Sequence, residues 1–340
     1  MRCVSCGRES PEGVKFCQSC GAILATPIDL RDRRLDEPRQ IIARAVHERQ
    51  RTDRQLSVLW LVAMILGGIL SVILYIVILF WSFDTSFDPY SDGYDNEVAA
   101  LSVFPSLLGI GLTLLFAILV YYLVKRQNEH YAREARFRLG LLALIRAAAW
   151  SPERMNDILP ETMALSTIER TYEKQRNPWF WVFVVLMPQI VDIAGTMGLW
   201  LAVTGSDMDS DFSAVIGVTV LIFAFAIIDL VLLLYLFFFL TQTMGEHDAR
   251  WNVLSYNARR AMTKLGFPHG SPYRANRLPE RSMALYVVLT IFTGIFALYW
   301  IYVMIKDPNE HFAYQWEFED NIMNSVNPAG YQPTAWASQQ

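Results

Sequence analysis

Long tracts of this chain carry no cation. No Lys or Arg occurs between Arg54 and Lys125, between Arg176 and Arg250, or between Arg281 and Lys306. Charged residues make up only 18% of the 340 residues and hydrophobic ones 53%, whereas soluble domains are about a quarter charged. That composition excludes an ordinary soluble enzyme and a disordered chain. The net charge of −4 excludes a basic nucleic-acid binder, and no nucleic-acid partner is expected. A Gly-rich phosphate loop, a nucleophile elbow and a His/Glu metalloprotease motif are also missing, so no enzyme is indicated. Cysteine is absent after residue 20.

The four cysteines are therefore concentrated in Cys3, Cys6, Cys17 and Cys20. They form two Cys-x-x-Cys knuckles, each followed by a glycine (Gly7, Gly21). Two knuckles supply the four tetrahedral sulfur ligands of structural zinc, and a segment this short needs the metal to fold. Disulfides would need an oxidising compartment, and no signal peptide precedes the segment. Zn is thus the expected cofactor, in a closed folding site without catalysis.

What is abundant is apolar sequence. Runs at Leu56–Trp81, Ala99–Val124, Trp179–Val203, Phe212–Leu240 and Met283–Ile305 each match the roughly 20 residues that a bilayer crossing needs. The expected fold is an all-α helical integral membrane protein with a small N-terminal four-Cys zinc ribbon. Residues 1–56 hold eleven Lys/Arg, 125–177 hold ten and 242–282 hold seven, whereas loops 82–98 and 204–211 hold acidic residues and no cation. The cation-rich segments are accordingly expected in the cytosol of a cell whose cytoplasmic membrane holds the spans. Residues 31–54 read as a polar helix lying along the inner leaflet.

One motif occurs three times: Glu129-His130, Glu246-His247 and Glu310-His311, each after an apolar run. Phe137, Leu254 and Phe318 share one offset from it, and Tyr121, Phe238 and Tyr302 another. The repeated unit is an apolar segment, a short junction and a cytosolic helix. The first reading of the motif is a helix junction, with Glu129–Arg133 and Glu246–Arg250 as i,i+4 pairs and the histidines at headgroup level. Asp307-Pro308-Asn309-Glu310 resembles a fresh helix start. The sharper reading is that the three histidines converge on a shared metal or pH-sensing site.

The fifth run either spans once or turns at Thr293-Gly294 as a re-entrant hairpin, and the repeat favours a cytosolic tail. Thr293-Gly294-Ile295-Phe296-Ala297-Leu298-Tyr299-Trp300, with Asn309 to Phe312 and Trp316 to Asp320, is similar to an uncharacterised prokaryotic membrane domain. That family carries a Thr-Phe-Gly-Ile-Tyr-x-Leu-Tyr-Trp segment, often behind an N-terminal zinc ribbon. The resemblance covers roughly 275–325 and departs at Phe296, where the family has Tyr. It implies an architecture and no activity.

Asp192 and Asp229 sit about 20 and 17 Å from the inner ends of their spans, so antiparallel neighbours would bring them to similar depth. Neutral, they would act as hydrogen-bonding glue; sharing a proton or cation, they would serve transport. The outer acidic loop Asp88, Asp92, Asp95, Glu97 misses the EF-hand register at Tyr90.

The domain plan is a ribbon (1–22), a linker and juxtamembrane helix (23–55), a first hairpin (56–124), cytosolic helices (125–177), a second hairpin (178–241), a cytosolic helix and linker (242–282), the fifth segment (283–305) and a tail (306–340). The expected function is a non-enzymatic membrane protein whose cytosolic face binds a protein partner or its own copies. The alternative is a small ion or proton transporter.

Overall fold

A computed structural model of the chain describes the backbone of residues 8–9, 11, 14, 17–20, 28–85, 94–171, 173–205, 208–268 and 277–327; the side chains described exclude 81–106, 192, 196 and 198–215. The structure is helical: α1 (Asp36–Thr52), α2 (Leu59–Thr85), α3 (Tyr94–Ala148), α4 (Pro152–Asp157), α5 (Leu159–Glu169), α6 (Pro178–Gly205), α7 (Met208–Leu265), α8 (Met283–Thr293) and α9 (Phe296–Val326). Four of these, α2, α3, α6 and α7, are long and apolar enough to cross a membrane. α2 leaves Leu66, Tyr75 and Phe80 exposed, as a lipid-facing helix does.

At 1.5 Å per residue, the 55 residues of α3 and the 58 of α7 run about 80 to 90 Å, far beyond the roughly 30 Å of hydrocarbon. The expected junction between span and polar helix is therefore absent. Each helix continues unbroken from the span bundle into a second, polar-surfaced module. Two apolar cores result. One lies among the spans, around Val120, Leu123, Leu240, Trp300 and Met304. The other lies in the module, around Ile42, Phe137, Ile145, Trp251, Leu254 and Phe318. Full burial of each such side chain is worth about 1.5–3 kcal/mol. Phe137, Leu254 and Phe318, equivalent in the repeat, meet in the second core.

α1 differs from its expected leaflet-lying pose. Its apolar face (Ile42, Ala45, Val46) is buried against α3, and Arg49 is fully buried. The approach is close at Gly140, where a Cβ would stand 2.9 Å from Ile41 Cγ2 and Ile42 Cγ1.

The fifth apolar run does not form one helix. α8 ends at Gly294, whose φ of 62° and ψ of −50° suit only a residue without a side chain, and α9 returns from there. Eleven residues of α8 reach about 16 Å, half a bilayer. Arg281 before α8 and Asp307 in α9 close the base of the hairpin through two hydrogen bonds of 2.7 Å.

Nor does a new helix start at Asp307. α9 runs straight through Pro308. Proline has no N–H for the Met304 carbonyl one turn back. Arg126 of α3 donates to that carbonyl instead, and to Ile305 O at 3.3 Å. Asn309 adds a two-way bond to the Leu56 backbone, accepting at 3.2 Å and donating at 2.8 Å.

Candidate functional site

Between the two apolar cores lies a buried polar layer: Asp53, Arg126, Gln127, His130, Arg133, His247, Asp248 and His311. Water cannot reach these groups, so each needs a partner within the protein.

The three repeat histidines meet here. His130 comes from α3, His247 from α7 and His311 from α9. Their ring centroids form a near-equilateral triangle with sides of 5.0, 5.4 and 4.9 Å. All three are at most 2% exposed. The helix-junction reading of the motif is corrected on this point, because the histidines face each other rather than a headgroup layer. The paired i,i+4 reading also changes. Arg133 does not turn to Glu129; it bonds Asp53 and Glu319, and Glu129 lies 3.9 Å from Lys125. Arg250 is 3.9 Å from Glu246 but 2.9 Å from Glu173. Glu310 lies 3.3 Å from Lys306, one turn back on α9.

Each ring is held from behind by a carboxylate on its Nδ1. Asp53 lies 3.0 Å from His130 Nδ1, Glu173 2.5 Å from His247 Nδ1 and Asp248 2.8 Å from His311 Nδ1. Carboxylate acceptors fix the proton on Nδ1 and leave each Nε2 lone pair forward. Burial pushes the His130 imidazole down to about 4 and that of His247 to about 3, against the pull of their carboxylates, so both rings are neutral near pH 7. Burial opposes ionisation of Glu173, but His247 and Arg250 outweigh it and hold the carboxyl down at about 2.

The forward nitrogens are left without donors. His130 Nε2 and His247 Nε2 stand 3.1 Å apart, and two lone pairs at that distance repel. His311 Nε2 is buried with no hydrogen-bond partner. The possible ligand atoms of the three residues all lie within 4.8 Å of one another. Two nitrogens each about 2.05 Å from a tetrahedral ion stand about 3.3 Å apart, close to the spacing seen. Charge points the same way. Asp53 and Glu173 are matched by Arg133 and Arg250, whereas the described partners of Asp248 are the His311 ring, Asn252 and the Leu278 N–H, with no Lys or Arg among them. Three imidazoles backed by carboxylates suit a borderline divalent ion such as Zn, Fe, Co, Ni or Cu.

A second network braces the first. Asp53 also accepts from Arg133 Nε and Nη2 (3.1 and 2.8 Å), Trp316 Nε1 (2.7 Å) and Thr52 Oγ1 (2.9 Å). Arg133 reaches Glu319 at 2.7 Å, and Arg49 joins α1 to Asp320 at 2.7 Å. Asp53, Glu173 and Asp248 carried no sequence signal strong enough to select them. The best available clue was Asp248 directly following His247 within the repeat.

The remaining expected sites fare differently. Cys3 and Cys6 lie outside the described residues; Cys17 is buried, and Cys20 is exposed at the end of a turn over 18–20. The side chain of Asp192 is also outside them, as is the acidic loop. Asp229 is 8% exposed, and its Oδ1 has no hydrogen-bond partner. No family model matches the chain, and neither a curated protein nor a solved structure matches it.

Proposed function

We propose that this is a multi-pass protein of the cytoplasmic membrane whose inner-face module holds one divalent transition-metal ion between His130, His247 and His311. The observation that carries this reading is the convergence of three repeat histidines with a carboxylate behind every ring. The ion ties together α3, α7 and α9, the three helices that enter the module. Tyr131, Trp251 and Phe312 pack their rings around the histidines, at 4.6, 6.3 and 4.4 Å between centroids. Such enclosure suits an ion that fixes helix geometry rather than one that turns over substrate. With an N-terminal zinc ribbon on Cys3, Cys6, Cys17 and Cys20, the module serves assembly with a protein partner or further copies of the chain. The inner-face placement rests on the distribution of Lys and Arg.

The test is metal analysis of detergent-purified protein. Wild type is expected to carry about two ions per chain, one in each site. His130→Ala with His247→Ala should remove one, and Cys17→Ser the other. Unchanged stoichiometry in the histidine variant overturns the proposal. Transport is the second reading, favoured by the unpartnered Oδ1 of Asp229 inside a span. Flux of protons or cations in vesicles that Asp229→Asn abolishes would establish it.

A further inference from the structure

Of the three carboxylates behind the histidines, two are sealed in. Asp53 is enclosed by Arg133, Trp316 and Thr52, and Asp248 by Asn252 and the Leu278 backbone. Glu173 is different. It sits in the non-helical connection between α5 and α6 and lines a cavity of about 190 Å³ with Tyr131, Arg138, Thr171 and Gln175. Ala132, Thr171 and Gln175 on its rim are exposed.

Glu134 stands next to it, one helical turn after His130 and 1% exposed. Its Oε2 has no hydrogen-bond partner, since Arg138 Nε at 3.1 Å lies off hydrogen-bonding geometry. Glu173 Oε2 is likewise buried without a partner, while its Oε1 takes His247 and Arg250. Possible ligand atoms of Glu134, Glu173 and His247 all lie within 4.8 Å of one another. Glu173 therefore lines an open cavity, and both carboxylates stand close to the back of a histidine whose front faces the centre.

We propose that Glu134 and Glu173 form an outer cation site that takes a divalent metal ion from inner-face water and passes it to the three histidines. This inference rests on the three-histidine centre. The chemistry of the two stations makes the direction downhill. Two oxygen ligands with water completing the shell hold a transition metal loosely, whereas three imidazole nitrogens hold it tightly. Arg250 pairs with Glu173 while the ion is away, and the proton that the buried Glu134 then holds leaves to water as the ion binds. Arg250 is 27% exposed at its side chain, so it can swing outward as the ion arrives. His247 is the shared wall: Nδ1 faces Glu173 and Nε2 faces His130.

The experiment is stopped-flow loading of the stripped full-length protein with Co²⁺, read by the d–d absorbance of the nitrogen-ligated ion; thiolate charge-transfer bands report the ribbon separately. In Glu134→Gln the final spectrum and stoichiometry should equal wild type, with loading slower by about tenfold or more, because an amide cannot give up a proton to become the second anionic ligand of the outer site. Thr171→Trp, which fills the cavity without touching a carboxylate, should slow loading as well. Wild-type rates in both variants overturn the outer site and leave the centre standing. Loss of the final spectrum in Glu134→Gln also overturns it, because Glu134 would then be a permanent ligand. If wild type shows no signal that depends on His130, the centre itself falls, and the outer site with it.

Discussion

Asp53→Asn separates the two roles that Asp53 combines. The carboxylate is 1% exposed and accepts five hydrogen bonds, from His130, Trp316, Thr52 and twice from Arg133. An Asn keeps the shape, but its amide presents N–H to at least one of these donors, and the negative charge is gone. Arg133 keeps only Glu319 as close counter-ion, at 2.7 Å. Breaking one partner of a buried pair costs about 3–5 kcal/mol, and the surviving Glu319 contact places this case near 3. In melting temperature that is about 6–12 °C for a chain of this order. The deficit should be constant between pH 6 and 8. Burial would raise the Asp53 carboxyl, but Arg133 and His130 outweigh it and hold it well below its usual 3.8. A depressed carboxyl contributes its stability above the unfolded value and loses it only as pH falls below that value. The second role is support of His130. Losing such a carboxylate weakens a metal site about 10–100-fold. Melting of the stripped protein measures the first effect, and a chelator-competition titration with Zn²⁺ measures the second. Glu319→Gln is the control: it bonds Arg133 and Gln315 but no histidine, so it should lower the melting point and leave affinity alone. An Asp53→Asn protein that melts with wild type and binds metal equally would refute the reasoning.

Other outcomes follow from single features. Gly294→Val forces a β-branched residue to a φ of 62° and should lower stability by about 1–3 kcal/mol, read from thermal melts in detergent. Burial, against the pull of Arg138, pushes the Glu134 carboxyl up to about 8 from 4.5. The folded protein thus holds a proton that the unfolded chain releases, so the stability of the stripped protein should fall as pH rises from about 4.5 to about 8, and Glu134→Gln should flatten that slope. Cysteines placed at Ser91 and Ser210 should label with an impermeant reagent added to intact cells; those at Ser166 and Ser338 should not. Labelling at Ser338 would contradict the hairpin.

The spans were legible because apolar runs without cations leave few alternatives at this length. The meeting of His130, His247 and His311 was legible as a possibility, because identical offsets on three helices place equivalent residues at equal depth. The helix-junction reading gave way because i,i+4 pairing is a local argument. Arg133 has stronger partners in Asp53 and Glu319, 80 and 186 residues away. The supposed helix start at Asp307 failed for a related reason. A proline inside a helix is tolerated when a distant donor serves the freed carbonyl, and no local pattern announces that the donor is Arg126. Glu173 was invisible because a carboxylate in a connecting loop looks like any solvated surface group until tertiary structure turns it inward.

The hairpin of α8 and α9 also gives the proposed topology a parity. In the proposed topology, four crossing helices and a segment that enters and leaves by one face return the chain to the side from which it set out. α1 and α9 are accordingly in direct contact, with Arg49 and Asp320 2.7 Å apart. On the proposed membrane placement, reporter halves fused to the two ends of this chain should share a compartment and complement each other within one molecule, and a protease added outside intact cells should reach neither.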